Sequence, residues 1–98
     1  MIGVGLIMAI KKIPITENYL ESTDMSPELV SYFSNMELKT VEFLYAAILR
    51  NPGAFQELFN KNSHLGTLQD TLDKLQSLLE TETKSLIEEI VSEESRST

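Results

Sequence analysis

The chain has one histidine and no cysteine, so few of its residues could carry metal or nucleophilic chemistry. His64 could take zinc only with three carboxylates beside it, an uncommon ligand set for that ion. Adjacent acidic residues occur at Glu88-Glu89 and Glu93-Glu94. On a helix, neighbours point about 100° apart, so neither pair converges on one substrate atom for acid–base work. Asp70 to Asp73 has the wrong spacing for a calcium loop and falls inside a helical pattern. Glycine-rich nucleotide loops, phosphate-binding loops and nucleophile elbows are missing from the sequence. The expectation is a non-enzymatic protein with no catalytic, cofactor or metal site.

Two helical families with one chemically active side chain can be set aside on local sequence. A phosphorelay histidine is followed by a lysine-glycine pattern, which Asn62-Ser63-His64-Leu65-Gly66 lacks. A carrier serine sits in Asp-Ser-Leu at a helix start, whereas here Asp24-Met25-Ser26 runs into Pro27.

With 98 residues the chain is long enough for one domain. A domain of this size buries about two thirds of its unfolded surface, which leaves room for a partner. Hydrophobic residues at 42% and charged residues at 23% are values of a globular protein, not a disordered one. The lack of cysteine suits a reducing cytoplasm. The net charge of -7 repels phosphate backbones, which argues against nucleic acid and is compatible with a basic partner.

Residues 1–25 read as an extended N-terminal arm. The apolar run 1–10 is half the length of a membrane span, and the lysines follow it rather than precede it as in a signal peptide. No membrane association is expected, and Met8 is expected to be the true start, with residues 1–7 an extension of the reading frame. Pro14 lacks an amide donor and drives Ile13 toward extended backbone, so Ile10 to Ile15 could form a single edge strand. That strand would need a partner, which makes Ile13 and Ile15 candidate interaction residues.

Residues 26–95 read as an all-α domain of three short helices and one long C-terminal helix, with 96–98 a disordered tail. Ser26-Pro27-Glu28 gives a hydroxyl cap, proline at the first helical position and a favourable carboxylate. The first helix should run from Pro27 to Asn35, with Leu29, Tyr32, Phe33 and Met36 on one stripe. Ser34 and Glu37 match a capping box, so a second helix should start near Asn35 and run to Arg50. It is apolar on most faces and belongs at the centre of a bundle. Asn51-Pro52 opens a third helix to about Asn60. The fourth should begin at His64 or Leu68, with Thr67 and Asp70 favouring the later start, and continue to Glu94. Leu65, Leu68, Leu72, Leu75 and Leu79 keep heptad spacing, and Leu86 resumes it.

A helix of that length measures about 40 to 46 Å, more than a domain of this size can cover. The seam from Leu65 to Leu79 can pack on the small core, while Leu86, Ile87, Ile90 and Val91 should project as an exposed apolar stripe, which usually marks an interface. Leu79 joins these four as a candidate interaction residue, and the competing arrangement is a kink near Thr81 to Thr83 that folds the helix back. The expected function is a small assembly or adaptor protein acting as a homodimer or higher homo-oligomer with a protein partner. An alternative is an immunity protein or antitoxin neutralising a basic partner, because Glu80 to Glu94 holds six acids against one lysine. A weaker alternative is a subunit of a secreted helical filament, turning at Asn51-Pro52.

Overall fold

The computed structural model describes residues 17–96, and the side chains of 17–94. Its described residues are helical apart from turns and one antiparallel bridge, Tyr19 to Thr40. Five α-helices follow one another: α1 Pro27–Ser34, α2 Val41–Arg50, α3 Pro52–Lys61, α4 Leu68–Leu78 and α5 Thr81–Arg96. Short 3-10 turns at Leu20–Ser22 and Ser63–Leu65 precede α1 and α4. The arm Ile10 to Ile15, an edge strand or coil by its sequence, and Ile13, Ile15 and the Met8 start with it, lie outside the described residues.

Side-chain caps set most helix starts. The Ser26 hydroxyl accepts the Leu29 amide, the Thr40 hydroxyl that of Phe43, the Asn51 amide oxygen that of Ala54, and the Thr67 hydroxyl that of Asp70. Each satisfies one of the donors that a helix N-terminus leaves without an intrahelical acceptor. Gly66, at φ 98°, turns the chain from the 3-10 segment into the Thr67 cap, a conformation that L side chains disfavour.

The start of the second helix differs from the sequence expectation. Ser34 and Glu37 form no capping box. The Glu37 amide donates to the Ser34 carbonyl and the Leu38 amide to the Phe33 carbonyl, which is the paired pattern of a Schellman helix end. Glu37 occupies the left-handed position of that motif at φ 64°. The true cap is Thr40, held by the bridge to Tyr19, where the Leu20 amide meets the Lys39 carbonyl and the Val41 amide meets that of Asn18. A left-handed residue other than glycine costs roughly 1–2 kcal/mol, offset by the roughly 0.4–1 kcal/mol that a glycine's unfolded freedom costs. Glu37→Gly should raise stability by about 0.5–1 kcal/mol, read as a shift in urea midpoint at unchanged slope.

α2 lies at the centre, touching α3, α4 and α5, with its most extensive contact to α5. Val41, Leu44, Tyr45, Ala46 and Ile48 are all buried. Phe33 of α1 meets Phe55 and Phe59 of α3 at ring-centroid distances of 6.0 Å each, joining the first helix to the third.

The single long C-terminal helix expected from the heptad spacing is two helices. α4 ends at Leu78, Leu79 takes extended backbone at φ −100°, ψ 139°, and α5 turns back along α2. Magnitudes explain the outcome. Breaking the helix forgoes a few hydrogen bonds worth about 0.5–1.5 kcal/mol each. Burying Ile87, Ile90 and Val91 gains about 1.5–3 kcal/mol for each side chain.

Candidate functional site

The turn-back of α5 internalises the residues expected to form an exposed stripe. Ile87, Ile90 and Val91 are buried, Leu79 is buried in the same core, and Leu86 is half-buried. The structure thus gathers them into one place, but as packing and not as a free surface.

Two polar clamps fasten the same interface. The Tyr45 hydroxyl, from the middle of α2, donates to Glu88 Oε2 at 2.7 Å and accepts from Gln76 Nε2 at 3.5 Å. Lys84 Nζ lies 3.4 Å from the same Glu88 oxygen. One turn further out, Arg50 makes a fork to Glu94, Nε to Oε1 at 2.8 Å and Nη2 to Oε2 at 3.1 Å. One acid of each sequence pair, Glu88 and Glu94, thereby ties α5 to α2. A third tie runs from Lys74 on α4 to Asp24 ahead of α1.

These contacts shift three titrations. Burial and the Glu88 hydrogen bond push the Tyr45 phenol up to about 12. Hydrogen bonding to Lys74 and to Arg50 holds the Asp24 and Glu94 carboxyls below the usual carboxylate range. A phenol raised above its unfolded value near 10 favours the fold while neutral, so its contribution is intact below pH 10 and is lost as pH rises toward 12. The two lowered carboxyls act in the opposite sense, supporting the fold above the ordinary carboxylate range and losing that support as pH falls through their folded values. Both are exposed, so the acid effect is small. Thermal unfolding midpoints should hold steady to about pH 9 and decline between pH 10 and 12, and Tyr45→Phe should flatten that alkaline decline.

Two further residues singled out by type lie at helix boundaries. His64 is exposed on the 3-10 turn before α4. Ser26 is a helix cap. Among the described residues no group of three or more histidine, aspartate or glutamate side chains is placed to hold a metal ion. No helix among them is long and apolar enough to cross a membrane.

What stands out at the surface is a corner that the sequence did not single out. Tyr19 is 41% exposed and Met36 45%, large hydrophobics left in solvent. Tyr19 lines a small recess with Glu21, Ser34 and Lys39, and Met36 sits on the turn between Ser34 and Lys39. A shallow depression continues along the outer side of α1, bordered by Met25, Pro27 and Val30. Helical spacing placed Met36 on the core stripe with Phe33. Because α1 stops at Ser34, Met36 turns outward instead. Tyr19 carried no periodic signal, since it pairs through its backbone with a residue 21 positions away.

Comparison with known proteins gives no match among protein-family models, curated sequences or solved structures.

Proposed function

We propose that this chain is a non-enzymatic interaction protein, a small helical assembly or adaptor component that works as an oligomer in the cytoplasm. The observation that carries the reading is the exposure of Tyr19 and Met36 at one corner. Tyrosine offers a large rigid contact surface with a polar tip, and methionine adapts its shape, which makes both frequent anchors at protein interfaces. The depression beside α1, where Met25, Pro27 and Val30 lie next to Glu21 and three hydroxyl side chains, extends the area available to a partner. A photo-crosslinking residue at position 19 or 36, in cells that make the protein, tests this directly. Adducts with protein at both positions, and none at exposed Glu57 on α3, are the expected result. Mass spectrometry separates an adduct with a second copy from one with a different protein. Two silent positions would overturn the reading.

A second reading, an immunity protein or antitoxin against a basic partner, draws on α5. Glu82, Glu89 and Glu93 are exposed on its outer stripe, away from Ile87 and Ile90. A crosslinker at exposed Ser85, between those acids, should then capture a basic protein in a salt-sensitive manner. Salt-insensitive capture would count against charge as the basis of recognition.

A further inference from the structure

The boundary between α4 and α5 is built unlike the other internal helix boundaries. Those are marked by Ser26, Thr40, Asn51 and Thr67 as caps, by the Schellman turn at Glu37, and by Asn62, whose side chain and amide both donate to the Leu58 carbonyl. From Leu78 to Glu82 the sequence reads Leu-Leu-Glu-Thr-Glu, with no glycine, proline or asparagine to stop a helix. The last turn of α4 holds no basic residue, and the Leu79 amide makes only a 3.4 Å contact to the Gln76 carbonyl. Helix resumes at once, with the Glu80 carbonyl accepting the Lys84 amide at 2.9 Å. Glutamate is not among the favoured capping residues. Local sequence therefore favours a continuous helix, and tertiary contacts of α5 impose the break. Such a conflict between levels leaves the break dependent on the tertiary contacts of α5.

We infer that Leu79–Glu80 is a hinge through which the chain exchanges α5 with a second copy. This rests on the oligomeric reading above and gives it a geometry. In the exchanged dimer α4 and α5 join into one helix of roughly 29 residues, about 43 Å long. That length carries α5 away from its own α2 and onto the α2 of the partner. The occupant is specified by the docking face itself. Ile87, Ile90 and Val91, the Tyr45 hydroxyl on Glu88 and the Arg50 fork on Glu94 all re-form between copies, so the exchange keeps the closed interface. It adds the helical hydrogen bonds missing at Leu79–Glu80 and restores the heptad line through Leu72, Leu79 and Leu86. Exchange of a terminal element is a low-cost route to a symmetric dimer.

Thr81→Pro separates the two arrangements. Proline is welcome at the first position of α5 but breaks the interior of a joined helix. Dimerisation measured by light scattering over a concentration series should weaken by at least about 100-fold. Glu80→Asp, which keeps the charge and improves the cap, should weaken it by about tenfold. Circular dichroism verifies that both variants fold. Topology is read in an Arg50→Cys/Glu94→Cys protein, whose only cysteines bridge α2 and α5. A short bismaleimide should link two chains covalently when applied to the isolated dimer. Links confined within single chains of that dimer would overturn exchange and leave self-association standing. A dimer undiminished by both hinge variants would also overturn it. A chain monomeric at every concentration would overturn exchange and the oligomeric reading together.

Discussion

Truncating Phe33 to alanine should remove about 3–5 kcal/mol of stability, the largest effect expected of any single substitution in this chain. Phe33 is fully buried, its ring meeting Tyr32 edge-on at 5.5 Å and both Phe55 and Phe59 at 6.0 Å. Its carbonyl also accepts the amides of Met36 and Leu38 that end α1. The side chain is thus the meeting point of α1, α3 and the turn that leads to α2. Removing it opens a cavity that three aromatic neighbours cannot fill, since ring planes collapse poorly. Against a total of about 5–15 kcal/mol for a domain, that is a large share. The melting temperature should fall by roughly 15–30 °C. A fall of only a few degrees would mean that the aromatic cluster does not organise the fold.

Ile87→Ala should cost about 2–5 kcal/mol, and the cost should be local. Ile87 is fully buried under α2, so its truncation weakens the one interface that returns α5 to the domain. Hydrogen exchange should accelerate across Thr83 to Val91 while amides of α2 and α3 keep their protection. On an exposed stripe the same change would lie within about 0.5 kcal/mol of neutral. The substitution therefore decides between a docked α5 and a projecting one. Uniform acceleration along the whole chain would indicate instead that α5 and the bundle unfold as one unit.

The contrast between those expectations shows which parts of the fold were readable beforehand. Ser26-Pro27, Asn51-Pro52 and Thr67 announced their helix starts because each cap is a short-range interaction completed within three residues. The central place of α2 followed from its apolar residues on nearly every face. Two boundaries were not readable. Ser34 and Glu37 satisfy a start pattern, but the backbone turns left-handed at Glu37 because Thr40 is held by Tyr19, a partner distant in sequence. Near Leu79 the only local sign of a break is Glu82, which interrupts the heptad series before Leu86 resumes it, and the packing of Ile87, Ile90 and Val91 on α2 decides that the helix divides. The exposed corner of Tyr19 and Met36 was hidden for the same reason, since it depends on where α1 stops.

The hydrogen bond from Tyr45 to Glu88 also gives this protein an internal optical gauge. The chain has no tryptophan, and its three tyrosines are its emitting groups. A phenol bound to a carboxylate emits weakly, because the excited ring sheds its proton to the acceptor. Tyr45 should therefore emit weakly while α5 rests on α2 and brighten when the helix lifts. Emission from the unlabelled chain should then follow the docking of α5, with Tyr45→Phe as the blank.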